Sequence, residues 1–122
     1  MAARGLVLFA HGARDARWAE PFTAVVERIR AIRPDLAVTL AFLEHLQPDL
    51  AAALRDLAGQ GVSQVRVVPL FFGRGGHLRE DFPAVLESAR AAVPGLSVAV
   101  TPAAGEAPAI QQALAEFALS DF

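Results

Sequence analysis

Four apolar runs of strand length, each followed by a stretch of helical periodicity, restrict this chain to very few folds. Arg4–Ala10, Ala37–Leu43, Gln64–Leu70 and Leu96–Val100 are nearly continuous in apolar residues. Such runs suit strands buried on both faces of a parallel sheet. Between the first two, Trp18, Phe22, Val25, Val26, Ile29 and Ile32 recur at helical spacing, and Pro34 stops the helix. Pro48 is expected in the first turn of a second helix, with Leu50, Ala53, Leu54 and Leu57 inward and Gly59 or Gly61 ending it. Asp81 and Pro83 are expected to start a third, with Phe82, Val85, Leu86, Ala89 and Val93 inward. After a loop over Thr101–Glu106, Pro108 opens a last helix carrying Ile110, Leu114, Phe117 and Leu119. Pro69 cannot donate a ladder bond, so regular pairing should fail near it.

Regular strand–helix alternation predicts an α/β fold with a parallel sheet and helices on both faces. Right-handed crossovers leave few topologies. A flavodoxin-like order of 2-1-3-4 is expected, in one domain spanning residues 1–122. That order puts the switch point between the first and third strands, where ligands bind outside the carboxyl ends.

Three acid–base residues fall at those ends. His11 follows the first strand, Glu44 follows the second, and His77 follows the third after a Gly-rich turn; 33 residues separate each from the next. That period is one strand–helix unit. Two imidazoles and a carboxylate gathered there can hold a divalent metal or move protons. Gly12 lets the backbone turn sharply behind His11. Asp15 can orient an imidazole N–H or cap the first helix. His45 would point away from Glu44 if the strand pleat continues, which makes it a surface residue or a peripheral contact.

Arg14, Arg17, Arg74 and Arg79 lie in loops or first turns at the same rim and together predict an anionic ligand. Gly73, Gly75 and Gly76 precede the third helix but fit neither G-x-G-x-x-G nor a P-loop. They suit a loop that closes over a flat ligand. Of Phe71 and Phe72, at least one belongs in the core and the other can form a wall.

Several classes are excluded by what the chain lacks. With no cysteine there are no disulfides, thiolate nucleophiles or iron–sulfur clusters, and any metal must take nitrogen or oxygen ligands. All eleven basic residues are Arg, so Schiff-base and P-loop chemistry are absent. A net charge of −2 offers no general field for nucleic acid. The apolar runs are too short to span a membrane, and no signal-peptide pattern precedes the first strand, so a cytoplasmic location is expected. Ser63, Ser88, Ser97 and Ser120 sit in no nucleophile elbow.

Taken together, Leu8-Phe9-Ala10-His11-Gly12-Ala13-Arg14-Asp15, Ala41-Phe42-Leu43-Glu44, Val68-Pro69-Leu70-Phe71-Phe72, Gly76-His77 and Asp81-Phe82-Pro83 resemble the small class II chelatases, the sirohydrochlorin cobaltochelatases and ferrochelatases. The likeness covers about two-thirds of the chain, from the first strand through the third helix. Ala13 stands where the family more usually has Ser. The resemblance implies insertion of Co²⁺, Ni²⁺ or Fe²⁺, as a substrate and not a resident cofactor, into a carboxylate-rich tetrapyrrole. His11 and His77 would bind metal and accept protons, and Glu44 would assist with the metal. Arg14, Arg17, Arg74, Gly75, Gly76 and Arg79 would meet the tetrapyrrole. The short family form implies a homodimer, with no nucleic-acid or membrane partner. Two rivals use the same residues: a metal-delivery module without turnover, and a histidine phosphatase, whose Arg-His-Gly signature reads Ala10-His11-Gly12 here.

Overall fold

The structure, a computed structural model, describes residues 4–73 and 76–122, with residues 76–80 described in their backbone only. Four strands, β1 (Arg4–Ala10), β2 (Ala37–Phe42), β3 (Gln64–Pro69) and β4 (Ser97–Val100), form one sheet in the order β2-β1-β3-β4. All its pairings are parallel. The expected topology is therefore the observed one. The helices are α1 (Glu20–Ile32), α2 (Leu50–Gly59), α3 (Gly76–Ala92) and α4 (Pro108–Leu119), with short 3₁₀ turns at Ala16–Ala19 and Ala104–Glu106.

Strand alternation sends two sets of side chains to opposite faces. Val7, Phe9, Ala41, Val65 and Val67 face α2 and α3, where they are buried with Leu50, Leu54, Leu57 and Phe82. Phe9 is the centre of this core: Phe82 stacks on it at 5.4 Å between ring centroids, and Phe71 meets it edge-on at 6.0 Å. Leu8 and Val38 point the other way and are buried against Val26 of α1.

Three prolines act differently from one another. β3 ends at Pro69, which stays in register with Phe9 of β1 but lies beyond the last β4 pair, Val67 with Val100. Pro48 does not open α2: it precedes the helix, joined to Gln47 by a cis bond, and Asp49 caps the helix by accepting from the Ala52 N–H at 2.9 Å. Pro83 does not start α3, which begins at Gly76 and carries Pro83 inside it. An internal proline forfeits one helical bond and costs a helix about 3 kcal/mol. Burial of Phe82 and Ala89 in the core offsets that loss and keeps α3 continuous. Val85 and Leu86 are half-buried against the same core, as their helical spacing predicts.

α4 forms where Pro108 predicts it. Its side chains do not enter this chain's core, however: every residue from Pro108 to Phe122 is exposed. No helix among the described residues is long and apolar enough to cross a membrane.

Candidate functional site

The carboxyl ends of β1 and β2 are tied together beyond the last regular pair. The Leu43 N–H donates to the Ala10 carbonyl at 2.9 Å, and the Glu44 N–H donates to the His11 carbonyl at 3.0 Å. These two bonds set Glu44 beside His11. Gly12 makes the approach possible, with φ at +96° and no side chain. A Cβ there would come within 1.8 Å of the Glu44 carbonyl oxygen. Both the dihedral and the contact require glycine.

The two side chains then meet. His11 Nε2 lies 2.9 Å from Glu44 Oε1, a hydrogen bond in which the imidazole N–H donates. The pair is half-open to solvent, at 41% and 50% exposure, so it adds little to stability and remains accessible to a ligand.

His45 is not directed away from this pair. β2 has ended at Phe42, and His45 takes a left-handed φ of 68°. Its Nε2 comes to 3.7 Å from the same Glu44 Oε1. The expectation that its ring points elsewhere assumed a continuing pleat, and the turn reverses it. Positive φ at a non-glycine residue leaves no trace in composition or periodicity, so sequence reasoning had no signal for this placement.

Asp15 takes the capping role. It accepts from the Arg17 N–H at 3.0 Å and grips the Arg17 guanidinium at 2.7 Å. That pairing lowers the Asp15 carboxyl and raises Arg17 from their ordinary values. Arg17 therefore stands at the rim already engaged by a carboxylate. Arg14 is exposed on the same loop, with no hydrogen bond among the described residues. Trp18, within the 3₁₀ turn, leans on Phe22 at 4.8 Å and reaches Phe42 at 6.4 Å, adding an aromatic flank.

The two phenylalanines after β3 divide the roles foreseen for them. Phe71 is buried and Phe72 is 68% exposed. Their loop is clamped by Gly105, whose N–H donates to the Phe71 carbonyl at 2.9 Å. A Cβ on Gly105 would fall 1.7 Å from the Phe72 carbonyl oxygen. Nothing in the Thr101–Glu106 sequence singles out Gly105, because the contact joins segments far apart in the chain. A cleft bounded by Gly73, Phe82, Leu86, Thr101 and Glu106 opens beside this clamp.

Arg74 and Gly75, and the side chains of His77 and Arg79, lie outside the described residues; the backbones of Gly76 and His77 form the first turn of α3. The structure thus brings His11 and Glu44 together, with His45 beside them. Among the described residues no three His, Asp or Glu side chains form a ready-made metal cage. An imidazole and a carboxylate side by side supply two donors for a divalent ion, and a route for a proton between them.

The whole chain is similar to known proteins in the same terms. The family model described as CbiX matches residues 5–119. A sirohydrochlorin cobaltochelatase of Methanococcoides burtonii is 31% identical over 83 residues, covering 68% of this chain and 63% of the relative. One from Sulfurisphaera tokodaii is 35% identical over 83 residues, 68% of each chain. The chain thus matches somewhat under two-thirds of the Methanococcoides relative's length. Among solved structures, a CbiX protein from Marinobacter aquaeolei VT8 is 33% identical with a TM-score of 0.82, covering 94% of this chain and 91% of that one. The sirohydrochlorin chelatase SirB of Bacillus subtilis subspecies spizizenii, solved with cobalt, shares the fold at 22% identity and a TM-score of 0.70, over 81% of this chain and 43% of SirB. With the family match spanning nearly all of the sheet and helices described above, the chain belongs to the CbiX family.

Proposed function

We propose that this protein inserts a divalent metal ion, cobalt first, into sirohydrochlorin or a related tetrapyrrole. The observation that carries the reading is the His11–Glu44 pair, 2.9 Å apart at the carboxyl ends of adjacent strands. The names of the Methanococcoides and Sulfurisphaera relatives support the substrate. Nickel and iron suit the same nitrogen and oxygen donors.

Metallation releases two pyrrole protons as the metal enters. Glu44 holds the incoming ion by its carboxylate, loosely enough to let it transfer. The His11 imidazole serves as ligand and proton acceptor, its ring oriented by the 2.9 Å hydrogen bond to Glu44. His77 completes the set from the first turn of α3. Arg14, Arg17, Arg74 and Arg79, with Gly75 and Gly76 giving close approach, receive the peripheral carboxylates of the macrocycle. The protein works as a single domain over residues 1–122, as a homodimer in the cytoplasm. A tetrapyrrole is wide relative to one such domain, and a second copy gives it a further wall.

The test is a spectrophotometric metallation assay under anaerobic conditions, with sirohydrochlorin and Co²⁺, Ni²⁺ or Fe²⁺ in turn. Acceleration by the wild type is expected with Co²⁺, and its loss in His11→Ala while the fold is retained. Equal rates in the two proteins would sink the assigned site. Tight metal binding without turnover would favour a metal-delivery module instead.

A further inference from the structure

Glu44 is shared by two histidines. Its Oε1 lies 2.9 Å from His11 Nε2 and 3.7 Å from His45 Nε2. The two approaches differ in kind. The first is a closed hydrogen bond. The second is too long for one, and among the described residues the His45 ring has no other polar partner. Two donors each about 2.1 Å from one divalent ion stand about 3.4 Å apart in tetrahedral geometry. The gap between His45 and Glu44 is close to that span.

The backbone explains how His45 comes to be there. The Leu46 N–H donates to the Glu44 carbonyl at 2.8 Å, and His45, between them, has φ at 68°. A bond closing three residues around a positive φ is the rare, strained form of the γ-turn. Such strain persists only where neighbouring contacts over-determine it, and it gathers at functional sites. Here those contacts tie both ends of the loop. The Leu43 and Glu44 N–H groups are bonded to the Ala10 and His11 carbonyls, and the Phe42 N–H donates to the Pro48 carbonyl at 2.9 Å. The loop is thereby held in a turn that sets the imidazole beside the carboxylate, where an extended strand would send the two apart.

Position in the sheet gives the two pairs an order. β2 is an edge strand, and His45 belongs to the loop that leaves it. β1 is central, and His11 stands at the switch point between β1 and β3. Among the described residues, no three such side chains surround one position. A carboxylate flanked by two imidazoles instead offers two overlapping sites of two donors each. Two donors leave most of an ion's coordination open, which suits an ion in transit.

We propose that His45 and Glu44 receive the divalent metal at the edge of the sheet, and that the ion passes from His45 to His11 while Glu44 keeps hold of it. One imidazole replaces another on the same ion, so no oxidant or reductant is needed. The Nε2 proton of His11 is exchanged through solvent for one on Nδ1 as the ion arrives, and both rings stay neutral. This deepens the metallation reading above and rests on it.

The chain has three histidines, so each ring can be followed by itself. Ring-nitrogen NMR spectra of the full chain are recorded with Zn²⁺ as a diamagnetic probe and no tetrapyrrole, and Co²⁺ affinity is measured by calorimetry. The informative variant is His45→Asn: asparagine tolerates the left-handed backbone, so the turn is kept and the imidazole is lost. The proposal predicts that Zn²⁺ shifts Nε2 of His45 as well as that of His11, and that the His45 shift disappears in Glu44→Gln. It also predicts that His45→Asn binds Co²⁺ several-fold more weakly. In the metallation assay the same variant should raise KM for Co²⁺ several-fold and lower kcat by less, since at high Co²⁺ the ion reaches His11 directly. A His45 ring that Zn²⁺ leaves unmoved while His11 shifts would overturn the proposal, as would wild-type Co²⁺ affinity in His45→Asn. A wild type whose His45 takes metal but which metallates no tetrapyrrole would overturn the proposed function and leave the receiving site standing.

Discussion

Val7, Phe9 and Val67, on the side of the sheet under α2 and α3, have no exposed surface, whereas the buried cluster under α1 contains, among the described residues, only Leu8, Val26 and Val38. The two faces are made from the same four strands with the same register. What separates them is the number of helices laid on each. The α2–α3 face holds the aromatic cluster and most of the buried volume, so it sets the stability of the single chain. The α1 face is left half-covered, and its exposed apolar residues are those that a second surface can use. The rim at His11 and Glu44 belongs to neither face: it is built from backbone contacts between strand ends.

The largest effect should come from the closed face. Phe9→Ala removes the ring on which Phe71 and Phe82 pack. Aromatic-to-alanine substitutions in cores cost about 3–5 kcal/mol, and urea denaturation should show a loss in that range. A loss below that of an exposed substitution would mean that the aromatic cluster is not the centre of the core. Next comes the rim. Gly12→Ala puts a methyl group into the Glu44 carbonyl at a φ that disfavours alanine. The dihedral alone costs more than about 1 kcal/mol, and relief of the clash must part the strand ends. Both stability and metallation should fall, which distinguishes this variant from His11→Ala. The latter removes one side of an exposed pair and should change stability by no more than about 1 kcal/mol.

The same contrast explains what was legible in the sequence. β1 was readable to the residue, because a strand buried on both faces is apolar throughout. The juxtaposition of His11 and Glu44 was readable too, because both residues follow directly on adjacent strands whose parallel pairing sets Ala10 opposite Phe42. Pro48 and Pro83 misled because proline marks a helix start only when local capping decides the boundary. For α2 the capping side chain of Asp49 decides it, and for α3 the burial of Phe82 and Ala89 carries the helix through the proline. His45 was misplaced because a left-handed turn depends on how two strand ends meet. The stripe on α4 was visible as periodicity. Periodicity says that a face is apolar and does not say which surface covers it.

The smallest prediction concerns the hollow at the amino end of the sheet, bordered by Arg4, Arg33 and Arg66. Asp35 grips Arg33 through two hydrogen bonds, at 2.8 and 2.7 Å. The Arg33 guanidinium holds the Asp35 carboxyl down to about 2, with Arg4 adding to the same field. A carboxyl lowered on folding stabilises the folded state above its unfolded value, and that contribution is lost as pH falls through the folded one. For Asp35 the window runs from the ordinary value of 3.8 down to about 2. The pair is exposed and screened, so the effect is small. Asp35→Asn should therefore be slightly less stable than the wild type at pH 5, and the difference should shrink toward pH 2. A gap that stays constant across that range would mean the carboxylate's charge contributes nothing.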